Sequence, residues 1–259
     1  MNAMVSASIY DNPSLYDCVV PPGPCDGFYR ELAQKTGGPV LELACGTGRL
    51  TVPMSVDGHE VVGLDRSARM LRAAREKARA RNVNPTFVLS DMKDFQLQRQ
   101  FALIVLSCNS LAHLITDDAL SACLIQIRKH LAPGGLFAFD LVNPNLLELS
   151  STYLEPQVIA DENCAREILG YDPISQVQIV RFSTTTRGSS KAFLPVRLRV
   201  IFPQEIEPRL RSAGLTLLRR YGDFEGKPLG SASLNQVCIA TRTFADVSIS
   251  DLGATHAAA

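Results

Sequence analysis

With 259 residues, 46% of them hydrophobic, the chain has material for one large α/β domain or for a domain with a modest insertion. Its 26 Lys+Arg balance 26 Asp+Glu. A nucleic-acid binder normally carries a basic surplus, so no nucleic-acid partner is expected. Seven scattered cysteines without a CxxC pair argue against a disulfide framework and a zinc site; no metal is expected, and reduced thiols fit a cytoplasmic protein.

In chain order, the N-terminal stretch MNAMVSASIYDNPSLYD has neither a basic nor an apolar signal region. No apolar run approaches the roughly 18 residues of a membrane span, so no membrane partner is expected. From residue 39 strands and helices alternate. PVLELA (39–44) reads as a buried strand, TGRLTVPMSV (47–56) as a short helix, and EVVGLD (60–65) as a second strand. SARMLRAAREKARARN (67–82) reads as a helix capped by Ser67, with Arg69, Arg72, Arg75, Arg79 and Arg81 on a solvated face. TFVLSD (86–91) and the continuously apolar FALIVLS (101–107) are strands three and four. DDALSACLIQIRKHL (117–131) is a helix stopped by Pro133, Gly134 and Gly135, and LFAFDLV (136–142) is strand five. This rhythm predicts a doubly wound parallel sheet.

After Asn143 the rhythm changes. QVQIVRFSTTT (176–186) and FLPVRLRVIF (193–202) are extended and predict antiparallel strands. PQEIEPRLRSAG (203–214) reads as a helix, and LTLLRRYG (215–222) with NQVCIATR (235–242) as two closing strands able to pair at the sheet edge. The expected fold is therefore an α/β, Rossmann-like, seven-stranded sheet with an inserted antiparallel β lid after strand five. An insertion there overlies the carboxyl ends of the strands, where ligands bind in such sheets. The core is expected at 37–144 and 204–245, the lid at 145–203 and a flexible tail at 246–259.

The stretch LELACGTGR (41–49) sets the functional question. A dinucleotide fingerprint GxGxxG places its third glycine at 51, where this chain has Thr51, and no GxxxxGK[ST] occurs. Glu42, just before the turn, opposes a pyrophosphate. Asp65 ends the second strand 19 residues after Gly46, where an acid takes ribose hydroxyls. A cationic ligand that carries a ribose meets both conditions, and S-adenosylmethionine is such a ligand; S-adenosylhomocysteine is then the product.

VLELACGTGRL (40–50), VVGLDRSARML (61–71), LSDMKDF (89–95), FALIVLSCNSLAHL (101–114) and HLAPGGLFAFDLVNP (130–144), in that order, resemble the class I S-adenosylmethionine-dependent methyltransferases, over roughly residues 10 to 242. The resemblance implies that Glu42 lies near the sulfonium or ammonium end of the cofactor, with Ala44, Gly46 and Gly48 allowing close backbone approach. It implies that Asp65 binds ribose, that Arg66 and Met70 flank the adenine, that Asp91 and Met92 hold it, and that Cys108 stands next to the methyl group. IYDNPSLYD (9–17) resembles the segment that folds over the cofactor in small-molecule members, which makes 1–36 the expected cofactor-covering segment, with Tyr10 and Tyr16 close to the sulfonium methyl. His113, after strand four, has two readings: a satisfied core histidine, or a general base or substrate orienter. His59 reads as a turn residue and His130 as a cation suited to a helix end.

The lid resembles that of glycine or amino-sugar N-methyltransferases. The expected activity is methyl transfer to a small molecule, most directly an amine, by a monomer or homodimer. An O- or C-methyltransferase on a small acid or phenol, a non-catalytic S-adenosylmethionine-binding protein and a nicotinamide oxidoreductase are the alternatives. VNP at 142–144 follows strand five rather than strand four, which counts against a nucleic-acid base methylase.

Overall fold

A computed structural model describes residues 8–146, 149, 157–158, 164–186 and 189–243. The expected tail at 246–259, His256 and much of 145–163 lie outside the described residues.

Two helices that the sequence reading left unassigned precede the first strand: α1 (Pro13–Val19) and α2 (Pro24–Thr36). Both start on a proline, which tolerates the first turn because its missing N–H has no partner there. Asn12 caps α1 through the Leu15 amide, and Gly37 ends α2 at φ +76°. Then follow β1 (Val40–Leu43), α3 (Thr51–Val56), β2 (Val61–Asp65), α4 (Ala68–Ala80), β3 (Thr86–Leu89), β4 (Phe101–Leu106), α5 (Asp117–His130) and β5 (Leu131–Val142). α3 starts four residues later than the sequence suggested. Gly46 and Gly48 both take left-handed backbone, so the chain turns before it coils. Thr116 caps α5 by accepting from the Ala119 amide, and Asp117 and Asp118 complement its N-terminal dipole.

The second half contains β6 (Gln157–Val158), β7 (Cys164–Asp172), β8 (Val177–Thr186), β9 (Ser189–Ala192), β10 (Val196–Arg199), α6 (Pro203–Ser212), β11 (Leu215–Tyr221) and β12 (Asn235–Arg242). The main sheet has seven strands in the order β11-β12-β5-β4-β1-β2-β3. β3 through β5 run parallel, β12 runs antiparallel to β5, and β11 pairs antiparallel with β12 at the edge, as the two closing strands suggested. The second sheet, order β10-β8-β7-β6 with β9 on β8, is antiparallel throughout and is inserted between β5 and α6. β7 was not legible in the sequence because its residues are half-buried without alternation.

β1 is buried at all four positions, and β4 at five of six. Leu41, Leu43, Ile104 and Leu106 face α5 through Leu120, Leu124 and Ile127. Val40, Leu103 and Val105 face α2 and α3 through Tyr29, Leu32 and Met54. This two-sided burial explains the unbroken apolar runs and fixes the strand ends from which the site is built. No helix among the described residues is long and apolar enough to cross a membrane.

Candidate active site

The carboxyl ends of β1, β2 and β4 open onto a cavity of about 540 Å³. The turn after β1 forms its floor. Ala44, Gly46 and Gly48 adopt positive φ (53°, 53° and 77°), a conformation that favours glycine, so Ala44 carries local strain at the site. A Cβ on Gly48 would stand 3.1 Å from both Ala74 Cβ and Val52 Cγ2, so this glycine brings the turn close to α4. The Gly46 amide donates to Asp65 Oδ2 at 2.9 Å, and the Ser67 amide donates to Oδ1 at 2.7 Å. Each Asp65 oxygen keeps a second lone-pair direction for a ligand hydroxyl. Burial raises the Asp65 carboxyl above its ordinary range.

Glu42 and Gly48 are not among the residues that line the cavity. Glu42 is 2% exposed and lies beneath the turn, where its Oε2 accepts from the Thr51 hydroxyl. Burial pushes its carboxyl up to about 8. The other eleven residues proposed from the sequence all reach the wall: Tyr10, Tyr16, Ala44, Gly46, Asp65, Arg66, Met70, Asp91, Met92, Cys108 and His113. Asp91 accepts from the Lys93 amide at 3.0 Å and forms a longer ion pair with the Lys93 ammonium.

The N-terminal segment is fastened across the glycine turn. The Thr47 hydroxyl, fully buried, donates to Asp17 Oδ1 at 2.6 Å, and Asp17 also pairs with Lys77 of α4. The Tyr16 ring packs over Gly46. Tyr10 lies 5.8 Å from Tyr16 between ring centroids, and its hydroxyl is 3.0 Å from His113 Nε2. His113 belongs to a 3-10 turn, Ser110–His113, that packs through Ala112 against Val180 and Leu198 of the second sheet. Burial lowers His113 to about 4, so the ring is neutral at physiological pH. Burial also raises the Tyr10 and Tyr16 hydroxyls, which stay protonated; Tyr10 then donates to a neutral imidazole.

The sequence reading did not single out Asp140, Asn109, Arg49, Arg166 or Gln178. Asp140, on β5, is 5% exposed and accepts from the amides of Cys108 and Asn109 at 2.9 and 3.1 Å and from the Tyr29 hydroxyl at 2.7 Å. Cys108 and Asn109 both sit at positive φ (57° and 56°), and this carboxylate holds that turn in place. An acid within an otherwise apolar strand, FAFDLV, was the available signal. Arg166 and Gln178 project from the second sheet into the same cavity. His130 differs from the expected helix-end cation. It is buried, its Nδ1 bonds the Gln126 carbonyl at 2.8 Å, and its Nε2 faces the Leu97 amide at 3.0 Å, so Nε2 accepts and the ring is neutral.

Residues 40–135 match a family described as "Methyltransferase domain". The whole fold superposes on the CcbJ methyltransferase from Streptomyces caelestis with a TM-score of 0.78 and 26% identity, over 93% of this chain and 99% of that one. Residues 40–135 are a methyltransferase domain, and the protein is an S-adenosylmethionine-dependent methyltransferase. A putative methyltransferase of Bacillus subtilis, YqeM, is 27% identical over 82% of this chain and 87% of its own length. The dTDP-3-amino-3,4,6-trideoxy-alpha-D-glucopyranose N,N-dimethyltransferase of Streptomyces venezuelae is 28% identical over 74% of this chain and 79% of its own.

The methyltransferase uses S-adenosylmethionine, and the cavity's chemistry fits that cofactor. Asp65 and Asp91 offer acceptors for hydroxyl and amine hydrogens, Met70 and Met92 offer apolar walls, and Ala44 and Gly46 bring the glycine turn to the cavity wall.

Proposed function

We propose that this methyltransferase acts on the amine nitrogen of a small molecule. The observation that carries the reading is the convergence of the Asp65 and Asp91 carboxylates, the Tyr10–His113 pair and the second-sheet residues Gln178 and Phe182 on one cavity. The amino-sugar relative supports an amine acceptor, because its similarity extends well beyond the 40–135 core.

In this reading Asp65 holds the ribose, with its carboxylate fixed by the Gly46 and Ser67 amides. Asp91 and Met92 hold the adenine, and Arg66 and Met70 flank it. Tyr16, Ala44, Gly46 and Cys108 line the methionine end, while Glu42 acts from beneath the turn rather than by contact. S-adenosylmethionine supplies a methyl group already bonded to a good leaving group. The chain's own task is alignment and water exclusion. Tyr10 and His113 orient the acceptor. A histidine lowered to about 4 is too weak a base to hold the proton of an alkylammonium. The acceptor therefore binds as the free amine, and the Tyr10–His113 pair positions its lone pair.

The test is incubation of the purified protein with methyl-labelled S-adenosylmethionine and separate panels of amino sugars, small amines, phenols and carboxylic acids. Label on an amine nitrogen supports the reading. Label only on phenol or acid oxygen moves the enzyme to the O-methyl class. Tight adenosyl-ligand binding without transfer to any panel sinks the catalytic reading.

A further inference from the structure

Cys25 and Cys108 are distant in sequence but share one arginine. Cys25 lies in the first turn of α2, and Cys108 opens the left-handed turn after β4. Arg49 follows Gly48 in the glycine turn. Its Nη1 donates to Cys25 Sγ at 3.3 Å, and its Nη2 donates to Cys108 Sγ. The same guanidinium is largely buried and paired with Asp26. The Cys25 thiol also donates to Asp26 Oδ1 at 3.4 Å. Cys25 is partly exposed, whereas Cys108 is on the cavity wall. Cys25 does not line the cavity, and methyl transfer gives it no task.

The neighbouring Cys108 thiol, together with the Arg49 guanidinium, lowers Cys25 to about 7, and the Cys25 neighbour and burial push Cys108 up. At neutral pH the pair therefore holds one partly ionised, partly exposed thiolate next to one protonated thiol. The thiolate is the reactive form toward oxidants. Burial pushes the Cys45, Cys123 and Cys238 thiols up and keeps them inert.

We propose that Cys25 and Cys108 are an oxidant-sensitive dithiol through which hydrogen peroxide weakens cofactor binding. The Cys25 thiolate attacks one peroxide oxygen, the O–O bond breaks, and hydroxide leaves, taking up the proton that Cys25 gave to solvent. Cys25 is then a sulfenic acid. Cys108 Sγ attacks that sulfur, the S–O bond breaks, and the hydroxyl leaves as water with the Cys108 proton. Two thiols and one peroxide give one disulfide and two waters. A disulfide holds its sulfurs about 2.05 Å apart, so the guanidinium that bridges them must withdraw. Arg49 then loses two of its partners beside Gly48, and the Cys108–Asn109 turn is drawn toward α2 and off the Asp140 carboxylate. The floor and the wall of the cofactor cavity both shift.

The experiment uses the full chain carrying Cys18→Ser, which removes the exposed thiol. Reduced and peroxide-treated samples are compared by non-reducing peptide mapping and by calorimetric titration with S-adenosylhomocysteine. The expected result is a Cys25–Cys108 linked peptide and an affinity at least about tenfold weaker, both reversed by dithiothreitol. Cys25→Ser is expected to bind within about twofold of the reduced parent and to ignore peroxide. Three results would overturn the proposal: no such linkage in treated protein that circular dichroism shows to be folded; the linkage with unchanged affinity; or the same loss of affinity in Cys25→Ser.

Discussion

The Tyr10 hydroxyl stands 3.0 Å from His113 Nε2, across 103 residues of sequence, and the two rings meet edge to face at 5.3 Å. One partner arrives from the N-terminal segment and the other from the turn after β4, so their contact requires that segment to be seated across the cavity. Removing the hydroxyl in Tyr10→Phe keeps the ring stack and deletes the polar link. Turnover on the amine acceptor is expected to fall roughly 10- to 100-fold, as for a modest misplacement of reacting groups. Affinity for S-adenosylhomocysteine is expected to stay within about twofold. Steady-state kinetics beside calorimetry separates the two. Because His113 is lowered to about 4, the wild-type profile of kcat/KM from pH 6 to 9 should follow the acceptor amine and show no histidine ionisation.

Asp65 joins β2 to the glycine turn through the Gly46 amide. Asp65→Ala deletes that link and the proposed ribose contact. Charge-assisted hydrogen bonds contribute about 1.5–3 kcal/mol, which corresponds to a roughly 10- to 150-fold loss of adenosyl-ligand affinity. Calorimetric titration with S-adenosylmethionine and S-adenosylhomocysteine measures it. NAD should give no heat with either protein, and unchanged adenosyl affinity in the variant would remove Asp65 from the ribose role.

Glu42 links stability to pH. Its folded-state value, about 8, lies above its ordinary 4.5. Between the two, the folded chain holds a proton that the unfolded chain has released. Its stabilising contribution is therefore complete below about pH 4.5 and is lost as pH rises through about 8, at up to about 1.4 kcal/mol per pH unit. Glu42→Gln keeps an acceptor for Thr51 and cannot titrate. Urea unfolding of the ligand-free proteins at pH 5, 6, 7 and 8 should show the wild-type advantage over the variant shrinking with pH. A constant difference would mean that Glu42 is already ionised in the folded chain.

Gly48 and Gly46 separate two roles of one turn. Gly48→Ala adds left-handed strain and drives a methyl against Ala74 and Val52, and should cost about 2–4 kcal/mol. Gly46→Ala meets only the Tyr16 ring at an ordinary 3.6 Å, and should cost about 1 kcal/mol. Denaturant midpoints compare them directly. Equal losses would show that packing against α4 is not what requires the second glycine.

The sequence by itself determined the sheet and the cofactor. Runs such as FALIVLS are apolar at every position because both faces of β4 are covered, and that burial leaves a local mark at each residue. Glu42, the left-handed glycines and Asp65 fall within 24 residues of one another, so their spacing was readable as a ligand-binding pattern. Helices α1 and α2 and strand β7 were not readable, the strand because it rests half-buried without a regular period. Tertiary structure alone decided that Glu42 lies beneath the turn, that His130 is neutral and hydrogen-bonded at both ring nitrogens, and that Tyr10 meets His113. It also decided that Asp140 pins the Cys108–Asn109 turn and that Arg49 bridges two cysteines. Each of those contacts joins side chains from separate elements, and its energy depends on distance and desolvation, which no local pattern of residues records.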